Sequence, residues 1–332
     1  MKKYVIFLTI LIISVFLFFN INNMSTSAHE KEEKVYRIGV LTFIESRLDK
    51  VEGMKEGLKK YGLYEDDFEI IIKNANENLD DLDRMGKELV EEKVDIIVTL
   101  GIDETAVAKK VTQESQIPVA FIGVACSEGL GFVEDRISSG CNLTGIDSYY
   151  VQLSGKRIEF LTRLVPSVKK VLVLYNPKNM PIDASIEYLY DAADKYNVEL
   201  DIIPVAEESE IFSILNEKSK STDGVMLMCS LLFNSVIEDI IDITIENKLP
   251  LIAVSNKHVQ KGALAFYGGT NYNEGIQAAR IVVNILKGQD PEIIPIESPE
   301  KLELYVNVDT ARKIGIDVKV SEMPYVDHFI YQ

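Results

Sequence analysis

Cysteine and histidine are scarce, three of each in 332 residues. Three cysteines do not make the disulfide framework of a small secreted scaffold. His29, His258 and His328 lie far apart and no HExxH or CxxC pattern occurs, which argues against a dedicated zinc site. Glycine (19) and proline (10) are too few for a collagen-like or low-complexity chain. Basic residues are in deficit, 35 against 52 acids, and the net charge of −17 repels a phosphate backbone, so no nucleic-acid partner is expected. No GxxxxGK[ST] or GxGxxG follows a strand and no GxSxG is present, so neither a nucleotide loop nor a hydrolase elbow is indicated and no cofactor is expected. Long apolar runs are missing beyond the first 34 residues.

What is there begins with a leader. Lys2 and Lys3 precede an apolar run of about 16 residues, Tyr4–Phe19, longer than a typical signal core and short of a comfortable membrane span. Thr26-Ser27-Ala28 offers a small-residue cleavage site, and no cysteine follows the run to carry a lipid. Residues 1–34 therefore read as a signal peptide or membrane anchor, with cleavage favoured, and the rest as extracytoplasmic, secreted or held at the outer face of the cell membrane. The odd cysteine count leaves at least one free thiol, with a Cys126–Cys141 pair left open. Asn142-Leu143-Thr144 matches a glycosylation pattern and reads as a loop–strand edge.

Beyond residue 34, short apolar runs alternate with helical spacing. Strands are expected at 35–41, 68–72, 94–100 and 118–124, with helices at 48–61, 79–90 and 104–112, the last capped by Asp103. The pattern then recurs: strands at 170–175, 199–204, 224–228 and 249–254, helices at 182–196, 208–218 and 233–246. The halves match in detail. Asp95-Ile96-Ile97-Val98-Thr99-Leu100 parallels Asp223-Gly224-Val225-Met226-Leu227-Met228, and Ile117-Pro118 parallels Leu249-Pro250. This is an internal duplication of a parallel α/β sheet. Strands at 263–267 and 302–306 and helices at 272–286 and 309–314 complete it. No Ser/Gly/Pro-rich linker divides the chain, so several crossings at a short hinge are expected. The division predicted is 35–147 plus 271–298 for one lobe and 148–270 plus 299–332 for the other.

Ligands of parallel α/β sheets sit beyond the carboxyl ends of the strands. With two lobes, those ends face one another across a cleft. The candidates are Thr42, Phe43, Gly101, Asp103, Glu104, Thr105, Cys126 and Ser127 from the first lobe. The second contributes Asn176, Cys229, Ser230, Ser255 and Asn256, and the hinge region Tyr149, Asn271 and Tyr272. Hydroxyls, amides and aromatic rings suit a small polar molecule with an apolar part, although Ser, Thr and Asn at strand ends also serve simply as caps. His258 reads as a surface residue, with a role as base the less favoured alternative. Cys126 and Cys229, one per lobe, suggest the two-thiol arrangement of cofactor-independent racemases, but the longer Cys-Asn-Thr and Cys-Thr-His patterns of those enzymes are missing; no enzyme activity is expected.

The chain resembles the ABC-transporter substrate-binding proteins of the type I periplasmic-binding fold, in the subfamily with tryptophan- and tyrosine-binding members. The resemblance rests on Val94-Asp95-Ile96-Ile97-Val98, Ile117-Pro118-Val119-Ala120-Phe121, Asn142-Leu143-Thr144-Gly145-Ile146, Val171–Pro177, Lys261-Gly262-Ala263-Leu264-Ala265 and Lys301-Leu302-Glu303-Leu304-Tyr305-Val306-Asn307. It implies a non-enzymatic monomer that closes two lobes over a small solute and presents it to an ABC permease. Amino-acid binders of the family commonly carry Thr-Asp-Pro where this chain has Ala125-Cys126-Ser127. They often have Thr-Asp-Asn in place of Cys229-Ser230-Leu231, and Asp-Thr-Asp in place of Ser255-Asn256-Lys257. At all three places an acid that would hold a ligand ammonium is thus replaced, leaving an amino acid or an amine as the expected solute class. An anchored ligand sensor without a transport role is the rival reading.

Overall fold

The computed structural model describes residues 34–178 and 182–331. Apart from Lys34, the leader reading lies outside the described residues. The first sheet holds β1 (Tyr36–Thr42), β2 (Phe68–Asn74), β3 (Ile96–Thr99), β4 (Val119–Val124) and β5 (Leu143–Asp147), in the order β2-β1-β3-β4-β5 with every pair parallel. Helices α1 (Asp49–Lys60), α2 (Leu79–Glu91) and α3 (Ile102–Val111) follow the first three strands. Both faces of this sheet are covered, so its central strands β3 and β4 are apolar almost throughout, while the edge strand β2 carries Glu69 and Lys73. Val40, Ile96 and Val98 pack on one side with Met54 and Leu58. Leu41 and Ile97 point the other way, onto Leu82, Leu89 and Phe121, as the period of two requires.

The second sheet repeats the plan. It contains β6 (Lys170–Tyr175), β7 (Glu199–Pro204), β8 (Gly224–Leu227), β9 (Leu251–Ala253), β10 (Ala265–Gly268), β11 (Glu303–Asn307) and β12 (His328–Ile330), ordered β12-β11-β10-β9-β8-β6-β7. Strands β7-β6-β8-β9-β10 reproduce the order of the first sheet. Its helices are α4 (Ser154–Leu164), α5 (Ile182–Tyr196), α6 (Glu208–Lys218), α7 (Leu231–Ser235), α8 (Ile237–Glu246) and α9 (Asn256–Lys261). The paired aspartates of the duplication do the same work. Asp95 Oδ2 accepts from the Arg37 N–H at 2.8 Å, and Asp223 Oδ2 from the Lys169 and Lys170 N–H groups at 3.0 and 2.9 Å. The paired prolines also match: Ile97 N–H donates to Pro118 O and Val225 N–H to Pro250 O, both at 2.9 Å. A proline ahead of a strand supplies an acceptor where no donor is needed.

After β10 the chain leaves for the first sheet, where α10 (Asn271–Leu286) packs along α1, and then returns to form β11, α11 (Val308–Lys313) and β12. There are thus three crossings, at 148–153, 269–270 and 297–302. The excursion explains one departure from an all-parallel sheet. Because α10 takes the chain out and back at the same end, β11 starts where β10 stopped and runs antiparallel to it. The third crossing lies alongside β5: Asp147 N–H donates to Glu297 O at 2.9 Å and Glu297 N–H to Gly145 O at 3.0 Å. Glycine lets α1 and α10 approach this closely. A Cβ at Gly57 would stand 2.5 Å from both Ala279 Cβ and Ile276 O. Gly57→Ala is expected to lose about 1–2 kcal/mol of unfolding free energy by urea titration, overpacking outweighing the gain in helix propensity; a more stable variant would contradict this packing.

Several sequence expectations need correction. Gly101, not Asp103, stands at the N-cap of α3; Asp103 lies inside the first turn. The helix expected over 233–246 is two helices, because Val236 (φ −118°, ψ 20°) leaves the helical region between them. Asn142-Leu143-Thr144, by contrast, is the loop–strand edge expected: Asn142 precedes β5, which starts at Leu143, and its amide donates to Ile117 O at 2.6 Å. Helices α4 and α9 and strand β12 were not anticipated. Cys126, Cys141 and Cys229 are all free thiols. His258 is buried rather than on the surface, because α9 turns it beneath the sheet end.

Candidate functional site

The carboxyl ends of the two sheets meet. Cys126, after β4, packs against the core of the second sheet, and Leu231, at the start of α7, against the core of the first. At the edge of the junction Lys257 Nζ reaches Asp49 Oδ2 at 2.6 Å and Ser46 O at 3.1 Å. Between the ends lies a set of charged side chains that helices and loops deliver from both sides.

From the first half come two ion pairs. Glu104, fully buried in the first turn of α3, accepts from Arg47 Nη1 at 2.7 and 2.8 Å and from the Phe43 N–H at 2.8 Å. It therefore fixes the loop after β1. Lys50, on α1, is also buried; its Nζ donates to Leu100 O at 3.0 Å and Ile122 O at 2.8 Å, buried carbonyls just after β3 and near the end of β4, and lies 3.6 Å from Glu274 Oε2. Gly123 (φ +79°) makes room for it, since a Cβ there would stand 2.1 Å from Nζ. Burial lowers the affinity of Lys50 for its proton and raises that of Glu274; each offsets the other's shift. The second half contributes Tyr150, Arg157 and Cys229. Tyr150 donates to Val254 O at 3.0 Å. Arg157 lies over the Tyr150 ring, 4.8 Å from its centroid. Beside the first crossing, Asp147 Oδ2 accepts from Ser127 N–H and Oγ–H at 3.0 and 3.1 Å and pairs with Arg136 at 3.2 Å, while Oδ1 has no partner.

A profile of the ABC transporter substrate binding protein family matches residues 37–324 of this sequence. The chain belongs to that family. A tyrosine-binding protein of Clostridioides difficile (strain R20291) is 25% identical over 301 residues, 90% of this chain and 85% of that one. Among solved structures, an ABC domain from Streptococcus pneumoniae in complex with L-Trp superimposes with a TM-score of 0.80 at 22% identity, covering 90% of this chain and all (100%) of that one. A ligand-free, open substrate-binding protein with adhesive properties from Clostridium difficile gives 0.72 at 21% identity, with coverage of 90% and 100%. The fold is that of the periplasmic-binding proteins.

In this substrate-binding protein the residues singled out from sequence divide into groups. Glu104 and Cys229 belong to the buried charged junction, with Phe43 joined to it through its N–H. Gly101 lies against Arg47, and Asp103 is half-buried beside it, its carboxyl held above the usual range by burial and by Glu104. Others are engaged within their own half. Thr42 Oγ1 donates to Ile44 O at 2.9 Å, and Thr105 to Gly101 O at 2.6 Å. Asn176 accepts from Lys178 N–H in an Asx turn, and Ser230 and Ser255 cap α7 and α9. Tyr149 stands at φ +62° with the Arg136 guanidinium 5.8 Å from its ring. Asn256, Asn271 and Tyr272 gather instead with Glu303, Tyr305 and His328 around a pocket of about 210 Å³ that Asp49 also lines, at the edge of the junction. Burial pushes the thiols of Cys126 and Cys229 up, the reverse of what a catalytic thiolate needs.

Arg47, Lys50, Asp147, Arg157 and Glu274 escaped the sequence reading. A signal for three of them exists: each is a charge set on the apolar stripe of a helix. Arg157 precedes Leu161 and Leu164 at helical spacing, Lys50 precedes Met54, and Glu274 precedes Ala278 and Ile281.

Proposed function

We propose that this protein is the extracytoplasmic solute-binding component of an ABC importer, a monomer that captures a small organic solute, an amino acid or amine, between its two lobes and presents it to a membrane permease. The observation that carries the reading is the burial of charged side chains from both halves where the carboxyl ends of the sheets meet. Family membership supports the same role. A permanent protein core has little reason to hold so many ionised groups; a cleft that opens to water and shuts over a polar guest does. Three short crossings supply the hinge, and the Lys257–Asp49 contact spans the opening. The candidate contacts are Arg47, Glu104, Tyr150, Arg157 and Cys229, with Phe43, Cys126 and Tyr149 at the margin.

The test is thermal unfolding of the exported chain, freed of bound solute by partial denaturation and refolding, against amino acids and biogenic amines. A ligand at a hundred times its Kd is expected to add about 2.7 kcal/mol of stability, and to shrink the radius of gyration in solution scattering. Stabilisation without compaction would remove the closure step. An absence of any stabilising compound would count against the cleft as a solute site.

A further inference from the structure

Lys50 and Arg157 are the two fully buried basic residues among those described apart from His258. Lys50 has Glu274 beside it. Arg157, 1% exposed, has no carboxylate partner among the described residues. Its Nε donates to Tyr267 O at 3.1 Å, and Nη1 reaches Tyr150 O only at 3.5 Å. Nη2 is buried with no partner at all. A guanidinium stripped of water and left without a counter-ion is strongly unfavourable unless something supplies the negative charge.

Its position says what that something is. Arg157 occupies the first turn of α4, directly after the first crossing, and its Nη2 lies beside the end of β10, where a Cβ on Gly268 would stand 3.5 Å away. Cys229, at the end of β8, is within its electrostatic reach. The free nitrogen thus belongs to the hinge side of the cleft. The Tyr150 ring holds the guanidinium plane, which preorganises the loosely held Nη1 and the unpartnered Nη2 as a fork. A planar fork of that kind matches a carboxylate, with two parallel N–H···O bonds. We infer that Arg157 binds the carboxylate of the captured solute, so that the cleft takes amino acids and refuses their decarboxylated amines. This rests on the solute-cleft reading and narrows it: of the two solute classes left open by the acids replaced after β4, β8 and β9, the acid is chosen.

The experiment is calorimetry on the refolded, solute-free chain with the proteinogenic L-amino acids, each binder being compared with its decarboxylated amine and its methyl ester. The amine and ester are expected to bind about tenfold or more weakly than the acid. Arg157→Gln is expected to lose about tenfold or more for the acid while leaving the amine unchanged, and Arg157→Lys, which keeps the charge but not the fork, to lose less. Circular dichroism and a urea midpoint check the fold of each variant; if Arg157→Gln does not fold, the acid–amine–ester series on the unmodified chain decides. An amine or ester that binds as tightly as its acid overturns this inference and leaves the solute-cleft reading standing, as does a folded Arg157→Gln with unchanged affinity. A panel in which no compound binds removes the inference together with the reading beneath it.

Discussion

Lys50→Met is expected to lower the free energy of unfolding by about 3–5 kcal/mol, the usual cost of removing one partner from a buried pair. Glu274 would keep its place between Lys50's helix and Gly123 without a cation, and the carbonyls of Leu100 and Ile122 would lose the donor that satisfies them. Glu274→Gln is expected to cost a similar amount, because it strands the ammonium instead. Burial works against both charges, and each partner offsets part of the other's shift. The double variant Lys50→Met/Glu274→Leu should then be more stable than either single change, since no buried charge is left over. Urea unfolding at neutral pH measures all three. Single variants within about 1 kcal/mol of the parent, or a double variant no better than the worse single, would show that the pair is hydrated and not a buried one.

Acid conditions should expose a second weakness. His258 is buried in α9, its Nδ1 has no partner, and burial, assisted by the neighbouring Lys261, draws its pKa down to about 4. The unfolded chain takes up this proton at about pH 6.5. Between those values the unfolded state binds a proton that the native state refuses, so stability falls as the pH drops through that window and is unaffected above it. The loss at pH 4.5 is about 2–3 kcal/mol. His258→Gln cannot take up the proton, and its urea midpoint should fall less between pH 7.5 and 4.5 than that of the parent. Equal pH sensitivity in the two proteins would mean that His258 is solvated.

Much of the fold can be read from the chain, and the reason is repetition. Asp95 and Asp223, Pro118 and Pro250 announce the same strand entry twice, and strands buried on both faces are necessarily apolar along their length. Short or interrupted elements were harder. Strand β5 carries a threonine, a glycine and an aspartate among its five residues, so it lacks the continuous apolar run of β3, β8 and β9, and β12 begins on a histidine and is three residues long. The site was read only in part. Ser230, Ser255 and Asn176 stand at strand ends, where their side chains accept from nearby backbone N–H groups as caps and turns do. Lys50, Arg157 and Glu274 carry a local signal, a charge on the apolar stripe of a helix, but that signal says only that they are buried. What makes them a site is that the sheet order brings the first turns of α4 and α10 together with α1, a juxtaposition no local window contains. The replaced acids after β4, β8 and β9 were noticed, but the acids that stand near the junction, Glu104, Asp147 and Glu274, come from other elements.

The late arrival of α10 also governs the order in which this molecule can mature. Met54 and Leu58 find Ala278, Ile281 and Ile285 among their partners, and those are made only after most of the chain has left the ribosome. The amino-terminal sheet is obliged to wait, with one side bare, while its carboxyl-terminal counterpart is already being synthesised. Contacts closed over so long a stretch of sequence form slowly, and a chain halted short of residue 271 would display that oily flank to chaperones and proteases alike.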